Sequence, residues 1–180
     1  MKRTLRFRLA LVLAVVVAAL ATAAVATAAT ITATATLTGT AGVSLSLPSN
    51  PTMTATLDGT DQTVSYAPVL GVVDARGTGL GWNLTIAATT FSDGSGHTLA
   101  AGSVTAAAEA CHGGSTCTLA TNAITYPLTL STTAAKFFNA AAGTGLGKVD
   151  VTPTVGVSVP GNAFAGTYTS TVTLASAVGP

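Results

Sequence analysis

Every even-numbered residue from Thr30 to Thr40 is threonine, with Ile31, Ala33, Ala35 and Leu37 between them. The same parity resumes after Gly42, where Val43, Leu45 and Leu47 are odd and Ser44 and Ser46 even. A period of two sends successive side chains to opposite faces, so it predicts a strand with one dry and one wet side. The pattern returns near the C-terminus, where Val149, Val151, Val155, Val157 and Val159 alternate with Asp150, Thr152, Thr154 and Ser158. Pro153 interrupts that run, and its missing ladder donor predicts an edge strand or a bulge. Pro160-Gly161-Asn162 then predicts a return, with Gly166 to Leu174 as the second arm of a long antiparallel hairpin.

Shorter segments repeat the theme. Met53, Ala55 and Leu57 alternate between two turns, Leu47-Pro48-Ser49-Asn50-Pro51 and Asp58-Gly59-Thr60-Asp61. Val64–Tyr66 and Val69–Asp74 read as strands, and Ser92 to His97 as a loop. Ser103 to Ala110 fits a short helix or a strand, since alanine favours one and its surroundings the other. Ala134 to Ala141 reads as one helical turn or a broken loop. Threonine is β-branched and suits a pleated, half-buried surface. The chain is therefore expected to be all-β, an antiparallel β-sandwich or barrel-like domain with a few short helical turns.

The N-terminus follows a different logic. Met1 to Arg8 holds four of the seven Lys and Arg residues, Leu9 to Leu20 is apolar, and Ala26-Thr27-Ala28 closes a small-residue zone. A basic, an apolar and an A-x-A segment in that order predict a secretory signal peptide over residues 1–28. Residues 29–180 are then one exported domain, secreted and with no membrane attachment after cleavage. Without the first 28 residues, three basic side chains (Arg76, Lys136, Lys148) face six acidic ones, a balance of −3. No basic stripe is left to neutralise phosphates, which argues against a nucleic-acid partner. Cys111 and Cys117 are the only cysteines. In an exported chain they predict a disulfide closing a small glycine-rich loop, and not a metal site.

Catalytic chemistry leaves no trace. His97 and His112 both sit in glycine-rich loops, and Asp93 and His97 flank serines in a stretch with the ordinary composition of a turn. No nucleophile is held against a base by any local motif. The glycines of Gly77-Thr78-Gly79-Leu80-Gly81 lack the lysine of a phosphate loop, so they read as a connector. No enzyme activity, cofactor or metal is expected.

That connector leads to the only tryptophan, in Asp74-Ala75-Arg76-Gly77-Thr78-Gly79-Leu80-Gly81-Trp82-Asn83-Leu84. On a strand, Trp82, Leu84 and Ile86 share one face. Asp74 and Arg76 share a face too, close enough for a charge-assisted pair. Two readings follow. Trp82 and Leu84 pack the core while the Asp–Arg pair fixes the preceding bend, or the indole is an exposed platform on which a sugar ring stacks.

The segment, the leader and the threonine-rich strands together resemble the WxL family of bacterial surface proteins. That family carries a second Trp-x-Leu near the C-terminus. The corresponding place here is Tyr168 to Leu174, where Val172 stands in the position of the tryptophan. The resemblance implies non-covalent attachment to peptidoglycan or another wall glycan at the Gram-positive cell surface, in company with other surface proteins. On that reading Trp82 and Leu84 are the expected wall contacts, with Asp74 and Arg76 as supports. The alternative is a pilin-like or matrix subunit that assembles through edge strands, which low charge leaves poorly protected.

Overall fold

The computed structural model describes residues 32–180. The expected signal peptide lies outside the described residues. Eleven strands follow: β1 (Val43–Ser46), β2 (Gln62–Tyr66), β3 (Leu70–Asp74), β4 (Trp82–Ala88), β5 (Phe91–Ser92), β6 (Thr98–Leu99), β7 (Ser103–Cys111), β8 (Leu128–Thr129), β9 (Ala135–Ala140), β10 (Gly147–Val159) and β11 (Val172–Val178). Among the described residues there is no helix, so the few helical turns expected from the alanine-rich stretches do not form.

One sheet runs β1-β3-β10-β7-β8, with β2 also paired to β10, and a second runs β11-β4-β9. All pairings are antiparallel, and β5 and β6 form a separate short ribbon. Leu70, Val72, Val104, Val149, Val151 and Val155 from the large sheet share one core with Trp82, Leu84, Ile86, Phe137 and Phe138 from the small one. The sheets do not close into a barrel, and the result is a sandwich.

β10 is the spine. Its odd residues from Val149 to Val159 are buried, as alternation requires, but it is a central strand and not an edge. Pro153 is accommodated by the neighbours. Tyr66 lies opposite Val155 and Leu70 opposite Val151 in one continuous register, so Pro68 falls opposite Pro153 between β2 and β3. Thr152 to Thr154 thus have no strand on that flank, and a missing donor costs no ladder bond there. On the other flank the register slips between Thr154 and Val155, leaving Thr105 of β7 as the extra residue of a bulge.

Three further expectations are corrected. β11 pairs with β4 and not with β10, so the predicted terminal hairpin does not form and its arms belong to different sheets. Ala135–Ala140 is a strand; β9 takes up a bulge opposite Leu84 and Thr85, which lets the consecutive Phe137 and Phe138 both reach the core. Among the described residues the threonine alternation yields a strand only over Val43–Ser46, and Met53 to Leu57 yields none. Leu37 is 90% exposed, and with no sheet face to bury it the periodicity alone does not make a strand. Ser103–Cys111 resolves as strand because it has β10 to pair with.

Candidate functional site

The segment from Asp74 to Leu84 leaves the large sheet at the end of β3 and enters the small one at the start of β4. Asp74 is the last residue of β3, paired with both Val43 and Gly147. Its carboxylate takes two parallel bonds from Arg76, Nε to Oδ1 at 2.8 Å and Nη2 to Oδ2 at 2.7 Å. The Arg76 backbone N–H adds a third to Oδ1 at 3.2 Å. Both side chains are almost wholly buried, and a fork of this kind is the strongest form of ion pair. The hydrogen bonds from Arg76 hold the Asp74 carboxyl below the usual carboxylate range, and the same bonds raise the guanidinium further above its ordinary value.

Arg76 also reaches forward. Its Nη2 donates to the carbonyl of Gly81 at 2.7 Å, which folds the glycine connector back on itself. Gly81 has φ of 72°, and a Cβ there would collide with the backbone of Ala140, so only glycine serves. The same carbonyl accepts the N–H of Gly179 at 3.1 Å. One oxygen therefore joins the connector to the residues that follow β11.

Trp82 is fully buried. Its ring stacks on Phe138 of β9 with centroids 5.8 Å apart, and its Nε1 donates to the Gly145 carbonyl at 2.8 Å. Gly145 has φ of 66°, and a Cβ on it would come within 2.6 Å of that nitrogen. Leu84 is also fully buried, one pleat further along the same face. Trp82 thus anchors the loop between β9 and β10, and the Gly143 N–H completes the join by donating to the Gly79 carbonyl at 2.8 Å. Above this buried node the surface is the tip of the two loops, where Leu80 is 56% exposed.

All four residues singled out in the sequence come together here, and all four are buried. Of the two readings of the tryptophan, burial fits the one in which Trp82 and Leu84 pack the core and the Asp–Arg pair fixes the preceding bend, and not an indole exposed as a platform. Val172 and Leu174, at the place of the second motif, lie on β11 opposite Ala88 and Ile86 of β4. The strands of both motifs are hydrogen-bonded neighbours.

Several members of the node escape a linear reading. Gly145 is 63 residues from Trp82 and Gly179 is 96 from Asn83, whose amide donates to the Gly179 carbonyl at 2.8 Å. Asn139 of β9 lies opposite Asn83 of β4 and accepts the Ala123 N–H at 2.9 Å. No local feature of the sequence ties the turn at Gly143–Gly145 to the tryptophan. Cys111 and Cys117 form the expected disulfide, with Cα atoms 5.6 Å apart. The chain beyond it bonds back through Thr118 to Leu146, beside the Gly145 on which Trp82 rests.

Residues 48–175, more than two-thirds of the chain, match the family model of the WxL domain, described as surface cell wall-binding. No curated protein matches the chain. The match spans both strands that carry the motif positions, Trp82 to Leu84 and Val172 to Leu174. The chain belongs to the WxL domain surface cell wall-binding family, and its place is the extracellular face of the cell.

Proposed function

We propose that this protein attaches non-covalently to peptidoglycan or another wall polymer and has no catalytic role. The observation that carries the proposal is the family match across the sandwich from residue 48 to residue 175. Asp74, Arg76, Trp82 and Leu84 serve that attachment from beneath, by fixing the exposed loops over Gly77–Gly81 and Ala141–Gly145. A buried scaffold of this kind keeps the contact surface in one conformation, so little ordering entropy is lost on binding. Other surface proteins remain a second class of partner. The outer edge of β11 pairs with no strand among the described residues, which favours edge-to-edge contact as the competing reading, whereas that of β9 is covered by Thr121, Asn122 and Tyr126.

The test is co-sedimentation with purified Gram-positive peptidoglycan of protein recovered from a Gram-positive secretion host. The wild type is expected in the pellet, and Leu80→Asp is expected to reduce pelleting with no change in unfolding midpoint. A wild type that stays in the supernatant ends the wall-binding reading. Concentration-dependent oligomers in that fraction would then establish self-assembly in its place.

A further inference from the structure

A second surface lies beyond the other end of β4. From Trp82 that strand runs seven residues to Ala88, roughly 20 Å at a strand's rise. There Ser92 and Thr169 exchange backbone bonds, each at 2.9 Å, and clamp the β5–β6 hairpin against the loop between β10 and β11. Between these segments is a shallow cleft of about 210 Å³, lined among others by His97, Thr98, Asn162, Phe164 and Tyr168.

Phe164, on the loop between β10 and β11, is 62% exposed. It is also held in place. One ring face stacks on His97 with centroids 3.9 Å apart, and its carbonyl accepts the Tyr168 hydroxyl at 3.0 Å. His97 is itself fixed by Asp93, which accepts its backbone N–H at 3.0 Å and pairs with Nδ1. The loop carrying Phe164 is braced from below, where Ala163 N–H donates to the Pro160 carbonyl and Gly161 N–H to Asp61 Oδ1, at 2.9 and 2.8 Å. An aromatic face kept exposed by this many restraints is prepared for a flat apolar partner.

The rim defines the rest of that partner. The Asn162 carboxamide and the Thr98 hydroxyl make no hydrogen bond among the described residues. No Lys, Arg, Asp or Glu lines the cleft, which disfavours a phosphate-rich polymer or a charged peptide. Its volume is below the about 300 Å³ at which pockets for drug-sized molecules begin, so it takes one ring and not a folded ligand. A ring with an apolar C–H face and a rim of neutral donors and acceptors is a pyranose.

We propose that this cleft is a glycan subsite that holds one neutral pyranose ring, stacked on the free face of Phe164 and hydrogen-bonded at its rim by Asn162 and Thr98. In naming wall sugar as the ligand class, the proposal rests on the wall-binding reading above. The experiment is a ¹H–¹⁵N titration of the secreted protein with a β-1,4-linked tetramer of N-acetylglucosamine, run beside the sedimentation assay. Saturable shifts confined to the 97–99 and 160–168 segments are expected. Phe164→Ala should weaken them at least about tenfold, as loss of a stacking anchor does, and Asn162→Ala should weaken them less. An unchanged urea midpoint shows that each variant folds.

Wild-type pelleting with no shifts in the cleft, and with Phe164→Ala pelleting equally, overturns the subsite and leaves the wall-binding reading intact. Cleft shifts without pelleting do the reverse, keeping the sugar site and removing the wall. Shifts centred on any other segment also overturn it, and so does the absence of both signals.

Discussion

Trp82 and Phe164 lie towards opposite ends of the sandwich and illustrate two uses of an aromatic ring. Trp82 is fully buried and spends its N–H on Gly145, whereas Phe164 is 62% exposed and is stacked only on His97. The motif residue, conspicuous in the sequence, builds the structure. The unremarked phenylalanine is the one available to a ligand. A side chain contributes binding energy only through the surface it still shows, and contributes stability only through the surface it has lost.

The sharpest way to break this contrast is Trp82→Ala. It removes a large core side chain and leaves the Gly145 carbonyl without its donor, so a loss of about 3–5 kcal/mol is expected in urea denaturation. A loss below about 1 kcal/mol would mean the indole is not the anchor described. Arg76→Leu comes next, at about 3 kcal/mol or somewhat more, because it strands the buried Asp74 carboxylate without its cation.

That pair carries a pH signature. Asp74 titrates below its unfolded value, so its contribution is complete above about pH 4 and fades as pH falls through the folded-state value. The double variant Asp74→Asn, Arg76→Met should therefore lose less stability than wild type between neutral pH and about pH 3. Equal acid slopes in the two proteins would show that the pair is not linked to folding.

Replacing Cys111 and Cys117 by serine should cost about 2 kcal/mol, since so short a loop removes little unfolded-state entropy. Because the disulfide lies on the Gly145 side of the molecule, the variant should leave the amide resonances of His97 and Phe164 unmoved. Shifts at the cleft would mean the two ends are coupled. Smallest of all is Phe164→Ala, expected within about 0.5 kcal/mol of wild type in stability, the range for a side chain away from the core.

Much of the architecture was legible in residue order alone. Alternation located β10, the short runs Val64–Tyr66 and Val69–Asp74 located β2 and β3, and the even pair of cysteines foretold the disulfide. Asp74, Arg76 and Trp82 were legible as a group because they sit within nine residues of one another. What failed was inference from a pattern without its partner. Among the described residues the threonine run has the right period but gains no strand before Val43, and Ala135–Ala140 has the wrong composition yet is a strand because β4 is beside it.

Periodicity and composition are local properties, so the sequence by itself determined the all-β class, the antiparallel habit and the resemblance to the WxL family. Which strands pair, that Pro153 is tolerated at the centre of a sheet, and that Trp82 is covered while Phe164 is not were decided only in three dimensions. The reason is physical. Burial and ladder bonding depend on what arrives from elsewhere in the chain, and the Gly145 that receives the indole N–H is 63 residues away.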